Sequence, residues 1–175
     1  MRDDPFASYR LDNLGGGHYH LKPTEPSYGG DVRISFLTGP HVAIYGDLCP
    51  GREKHDNKGL ISVTGKGEGW FRGRLSGDYL AEKFGLEKVF RADKAESYCR
   101  EQAEECDGGN AQRWSDLADE AENLDAADLE AVGAWTSDLY DLADDGEAIG
   151  ACYGYDVDNL RLLMDIQRAF ARLVS

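Results

Sequence analysis

The sequence predicts an α+β fold: an N-terminal antiparallel sheet followed by a C-terminal helical lobe. Three observations carry this. Apolar residues alternate at period two between Val32 and Tyr45, recur at three and four from Ser76 onward, and the two patterns do not interleave. Segregation of this kind belongs to α+β folds, not to the βαβ alternation of a doubly wound sheet. At 175 residues the chain fits one domain, read here as a β-rich part (17–75) and an acidic helical part (76–175).

Residues 1–30 read as a loose lead-in, broken by Gly15-Gly16-Gly17 and by PTEPSYGG at 23–30, with only His18–Leu21 able to pair as a short strand. Val32, Ile34 and Phe36 then alternate with Arg33, Ser35 and Leu37. Thr38-Gly39-Pro40 is a turn, and His41–Tyr45 returns as the second arm of a β-hairpin closed by Gly46-Asp47. CPGREKHDNK at 49–58 is a polar loop. Leu60, Ile61 and Val63 indicate another strand, and GKGEG at 65–69 reads as a turn between strands, with Trp70–Arg74 as an amphipathic strand edge beyond it.

Ser76 caps a helix over GDYLAEKF. Lys94–Cys106 is the next, stopped by Asp107-Gly108-Gly109-Asn110. Trp114, Leu117, Ala118, Ala121 and Leu124 form a further apolar stripe. Asp125-Ala-Ala-Asp128 resembles a capping box that restarts the helix, and Leu129, Val132, Trp135, Leu139 and Leu142 carry the stripe to Asp144-Asp145-Gly146. Asn159–Leu173 is the last helix, capped by Asp156 or Asp158. Cys99 and Cys106, seven apart on one helix, would lie roughly 10 Å apart, too far for a disulfide. They are read as small buried hydrophobes stacked on one face, with reduced thiols.

Charge is distributed unevenly. Between Glu101 and Asp158 stand eighteen Asp and Glu against one basic residue, Arg113, while residues 1–100 sum to +1 and 159–175 to +2. Such a block repels nucleic acid and membranes and attracts basic protein surfaces. Asp116, Asp119, Glu120, Glu122, Asp128, Glu130, Asp138 and Asp141 are the candidate partner-binding carboxylates. Their positions on the helices fall largely opposite the apolar stripe. An ordinary solvated face would account for them, but such faces usually mix signs. No calcium loop of the D-x-[DN]-x-[DN]-G type occurs.

His18 and His20 are the weak metal candidates: two apart on a strand, their imidazoles would share one side, about 7 Å apart. His41, Asp47, Cys49 or His55 would have to supply further donors, and no spacing forces them together. No GxSxG elbow and no P-loop pattern is present. Trp70-Phe71-Arg72-Gly73-Arg74 sets aromatic and basic groups side by side, as a nucleotide or RNA strand would require, against the acidic total. No cofactor is predicted. The absence of a ~20-residue apolar run and of an apolar h-region in the opening residues predicts a cytosolic protein without a membrane segment.

HYHL at 18–21, RISFLTGPHVAIYGDL at 33–48 and GWFRGRLSGDYLAEKF at 69–84 resemble a group of uncharacterised accessory proteins encoded by bacteriophages and prophages. The resemblance covers residues 18–84 and brings no catalytic residue with it. It implies a small phage-encoded protein acting in the host cytoplasm. Joined to the acidic block, it gives the leading expectation: a non-enzymatic inhibitor that docks a DNA-mimic-like surface on a host nucleic-acid-binding or defence complex, an anti-CRISPR protein being the most concrete form. The alternative is a metal-dependent enzyme or nucleotide-binding protein using the His18/His20 side of the sheet. A homodimer through the Trp114 and Trp135 helices is a further expectation.

Overall fold

The structure is a computed structural model that describes residues 4–25, 30–37, 41–50, 59–144 and 146–174. The fold is α+β. Strands β1 (Tyr9–Gly15), β2 (His18–Pro23), β3 (Val32–Leu37), β4 (His41–Gly46) and β5 (Gly59–Thr64) form one antiparallel sheet in sequence order. Its register aligns Tyr19 with Ile34, Ile34 with Ile44, and Ile44 with Ile61, so one face is apolar throughout. Leu21, Val32, Ile34, Val42 and Ile44 on that face are fully buried.

The lead-in is not loose, because β1 occupies its middle. The three glycines expected to break the chain are the β1–β2 turn, with φ of +82°, +60° and +82° at Gly15, Gly16 and Gly17. β1 is an edge strand whose inward residues, Tyr9, Leu11 and Asn13, are half-buried or exposed, so its sequence carries little alternation. The turn at 38–40 and most of the polar loop at 49–58 lie outside the described residues.

Contacts divide the chain into two compact units: residues up to Glu87 together with those from Tyr155 onward, and Lys88–Gly154. In the first, α1 (Glu68–Phe71), α2 (Gly77–Phe84) and α7 (Val157–Leu173) share a core with the sheet. Phe170 of α7 stands 5.1 Å from Tyr19, 5.3 Å from Phe36 and 5.6 Å from Phe71, ring centre to ring centre. The expected strand edge at 70–74 is instead the helical turn α1 and the loop that follows. One turn is too short to display a period, and it delivers Phe71 to the core fully buried. Gln167 of α7 is 5% exposed and fixes that turn, its Nε2 donating to the carbonyls of Phe71 (2.8 Å) and Gly73 (2.6 Å). Ser76 caps α2 by accepting from Tyr79 N–H, and Asp156 caps α7 by accepting from Asn159 N–H at 2.8 Å.

The second unit runs β6 (Lys88–Phe90), α3 (Ala92–Glu105), α4 (Gly109–Glu122), α5 (Leu129–Ala143), α6 (Gly146–Ala151) and β7 (Tyr153–Tyr155), with β6 and β7 paired. Ala95, Cys99, Ala118 and Ala121 are fully buried; such small side chains let helices approach closely. Trp135 donates its indole N–H to the Leu117 carbonyl at 3.0 Å. Two expectations change here. Cys106 lies beyond the end of α3 in extended backbone, half-buried, so it does not stack on the helix with Cys99. A further helix, α6, begins at Gly146, within the signal read as a breaker.

The β1–β2 turn gives a direct test. A Cβ on Gly17 would stand 2.5 Å from the Phe36 carbonyl oxygen, whereas one on Gly15 meets nothing within 4 Å. Gly15→Ala should therefore cost about 1 kcal/mol, the left-handed penalty alone. Gly17→Ala should cost roughly 2–4 kcal/mol, since backbone must also move. Urea unfolding midpoints at constant slope measure both; equal losses would contradict the turn geometry.

Candidate functional site

The acidity belongs to one structural unit. Residues 88–154 hold eighteen Asp and Glu against five Lys and Arg, a net −13, and the rest of the chain sums to −1. All eight candidate carboxylates are exposed. They are not equivalent. Asp128 is the N-cap of α5, accepting from Ala131 N–H at 3.0 Å, while Asp125 accepts from Ala127 N–H and forms the turn before it. The N-cap is thus Asp128, three residues later than the Asp125 of the capping-box reading, and Asp128 has a structural task. Asp119 pairs with Arg100 of α3 at 3.0 Å, and Asp116 accepts from Gln112 Nε2 at 2.8 Å. Glu120, Glu122, Glu130, Asp138 and Asp141 have no ion-pair partner among the described residues.

Helix phase groups most of these. On α4, Asp116, Asp119 and Glu120 oppose the buried Trp114, Leu117, Ala118 and Ala121; on α5, Glu130, Asp138 and Asp141 oppose Val132, Trp135 and Leu139. Between the two helices lies an open groove of about 570 Å³. Leu124, Ala131, Ala134 and Trp135 supply its apolar surface, and Asp119, Glu120 and Asp138 its charge. The groove is not readable from the sequence, because it depends on how α4 and α5 diverge after the 123–128 turn. Trp114 and Trp135, which mark the helices expected to pair in a homodimer, are themselves 5% and 3% exposed and belong to the unit's core.

The histidines lie on the face of the sheet opposite the apolar core. His18 Nδ1 is 2.8 Å from Ser35 Oγ, His41 Nδ1 is 3.2 Å from Thr64 Oγ1, and His20 Nε2 is 2.6 Å from Asp31 Oδ2. Each imidazole has its own partner. Among the described residues no three His, Cys, Asp or Glu side chains converge as a metal ion would require, and His55 lies outside them. Ser35 is 3% exposed, so its bond to His18 joins β2 to β3 without presenting a nucleophile. Asp31 was not legible as a site residue: only the β2–β3 register, with His20 opposite Arg33, brings it to the imidazole.

Burial pushes Asp31 up, but the hydrogen bond from His20 and the charges of His20 and Arg33 outweigh it and hold the carboxyl below its usual range. Burial pushes the Cys49 and Cys152 thiols up to about 11, and burial with the neighbouring Cys152 takes Cys99 up to about 12. These are inert packing groups, not nucleophiles. No helix among the described residues is long and apolar enough to cross a membrane. No family model, no curated protein and no solved structure matches this chain.

Two measurements follow from these environments. With a thiol reagent at pH 8, Cys106 should label in the native protein at least ~100-fold faster than Cys49, Cys99 and Cys152. Intact-mass analysis reads this, and two or more thiols labelling together would contradict the buried assignments. A carboxyl held below its ordinary value stabilises the fold above an unfolded pKa near 4, and that stability is lost as pH falls through the folded value. His20→Ala should therefore raise the Asp31 titration midpoint, followed by carboxyl-carbon NMR, and reduce the loss of stability below pH 4. An unmoved midpoint would mean that His20 is not its controlling partner.

Proposed function

We propose that this chain is a non-enzymatic inhibitor that docks the acidic α4–α5 face onto a basic, nucleic-acid-binding surface of a host defence complex. The observation that carries this reading is the exposed set Glu120, Glu122, Glu130, Asp138 and Asp141 on α4 and α5, without an ion-pair partner among the described residues, two of which (Glu120 and Asp138) line a groove with apolar walls. A solvated helix gains little from leaving five carboxylates without cations, and their mutual repulsion is a cost to the fold. A basic partner converts that cost into attraction.

The charge density argues for the kind of surface imitated. Eight carboxylates over two neighbouring helices of about 21 Å amount to one charge per roughly 2.6 Å of length, or one per roughly 3 Å once Asp119 is set aside as neutralised by Arg100. Duplex DNA carries one per ~1.7 Å and each of its strands one per ~3.4 Å. The face therefore matches a single phosphate backbone better than a full duplex. A channel that holds one strand by its backbone, such as that of an RNA-guided effector, suits it. With the resemblance of residues 18–84 to phage and prophage accessory proteins, an anti-CRISPR or other anti-defence role in the host cytoplasm is the most concrete form. The apolar walls of the groove would receive the aliphatic stem of a partner Arg or Lys.

The test is displacement of labelled nucleic acid from purified basic effector complexes. The wild-type protein should compete stoichiometrically at ~100 mM salt. Lys at positions 120, 122, 130, 138 and 141 together should weaken competition on the order of 100-fold, at about 0.5 kcal/mol per reversed contact. Asp119 and Asp128 stay unchanged in that variant because they pair and cap within the unit. Competition that survives the reversal at low salt, in a variant with wild-type circular dichroism, would leave the carboxylates as an ordinary solvated surface.

A further inference from the structure

We propose a second site, in the other unit: the groove between the 72–76 loop and α7 binds the phosphate of a small phosphorylated ligand of nucleotide size. The groove has a volume of about 700 Å³ and is lined by Arg72, Arg74, Ser76, Gln167 and Arg168, with Leu75 and Ala171. Small-molecule sites span roughly 300–1,000 Å³. Three arginines line this space and no carboxylate residue does. In a unit whose net charge is only −1, such a local excess of cations is a feature of the loop and not of the composition.

The loop is held in place from behind. Gln167 takes the Phe71 and Gly73 carbonyls together, so the backbone between them is fixed while Arg72 and Arg74, on either side of Gly73, remain exposed. Arg168 follows Gln167 on α7 and arrives from the opposite wall. The cations are weakly committed elsewhere. Arg72 is 3.8 Å from Glu68 and Arg168 is 3.5 Å from the more buried Asp165; both contacts are longer than an ordinary charge-assisted hydrogen bond, and both arginine side chains are exposed. Arg74 has no ion-pair partner among the described residues. Ser76 Oγ accepts from Tyr79 N–H and keeps its own proton to donate. The groove also meets the start of α2, whose first amides have no acceptor within the helix. Asp78 in that turn is exposed and does not line the groove. Several guanidinium forks match the oxygens of a phosphate better than the two of a carboxylate. A chelated ion of charge −2 or more, not a carboxylic acid, is therefore the ligand group assigned.

The full-length protein should be titrated with inorganic pyrophosphate, a nucleoside diphosphate and a short single-stranded oligonucleotide, by calorimetry and backbone-amide NMR. Pyrophosphate and the diphosphate should each bind one per chain with Kd below about 1 mM. They should shift the amides of residues 72–76 and 167–171. Arg74→Gln and Arg168→Gln, both at exposed positions, should each weaken binding at least tenfold with unchanged circular dichroism. Arg10→Gln, on the sheet and outside the groove, should leave it unaltered. No saturable binding, unchanged affinity in both groove variants, or an equal loss in Arg10→Gln would overturn the site. An oligonucleotide bound more tightly than its phosphate count explains would overturn the choice of a small ligand. None of these outcomes depends on the acidic face.

Discussion

The structure depends on one return of the chain. The sheet built from residues 9–64 buries a single apolar face, and a twisted sheet with one exposed apolar face does not persist in water. Much of its cover is the final helix, whose Phe170 is fully buried between Tyr19, Phe36 and Phe71. More than ninety residues separate Gln167 from the two carbonyls it holds. The fold of the first unit is therefore complete only when α7 has docked, and residues 88–154 form an insertion between the sheet and the helix that covers it. Contacts of such sequence separation are costly to close and favour slow, cooperative assembly.

An insertion with its own core has a freedom the sheet lacks. Trp114, Leu117, Val132, Trp135 and Leu139 supply its apolar interior, and alanines and Cys99 let the helices pack closely. Its core closes within the unit, which leaves the exposed faces of α4 and α5 to carry charge. The charge still acts on the unit that bears it. Asp128 offsets part of the repulsion by capping α5, where the helix dipole favours an anion, and Arg100 offsets more by joining Glu96 and Asp119. Asp144, by contrast, sits at the carboxyl end of α5 in the left-handed region, where neither the dipole nor the backbone favours it. The acidic face is thus not uniformly adapted to stability.

Sequence patterns revealed the elements long enough to show a period or bounded by a capping side chain. Val32–Tyr45, α2 behind Ser76, α5 from Leu129 and α7 behind Asp156 are of this kind. The elements shorter than two periods of their own structure, α1, β6, α6 and β7, escaped, and their existence is decided by tertiary packing. β1 escaped for a different reason, since an edge strand needs little alternation. The site divides similarly. Exposure of the acidic residues follows from helical phase and was legible. The distinction between a capping Asp128, a paired Asp119 and an unpaired Glu120 required neighbours that only the fold supplies. The convergence of Arg168 with Arg72 and Arg74 joins positions almost a hundred residues apart, and no local pattern encodes it.

A chain with an acidic face and a basic groove faces a constraint that neither feature has alone, because two copies present complementary surfaces. Such a contact is heterologous, and a heterologous contact that does not close propagates. Net charge opposes it: at −14 per copy, approach in any orientation is repulsive at long range, and this repulsion is strongest at low salt. The groove itself adds a second barrier. Arg72 and Arg168 each have an acid nearby, so a rival carboxylate gains only the difference between two weak pairings. A phosphate differs in kind, since it offers more charge and more oxygens to the same three forks. The condition that keeps the groove from capturing another copy's acidic helices is then also the condition that selects its ligand: the site must require more than a carboxylate can give.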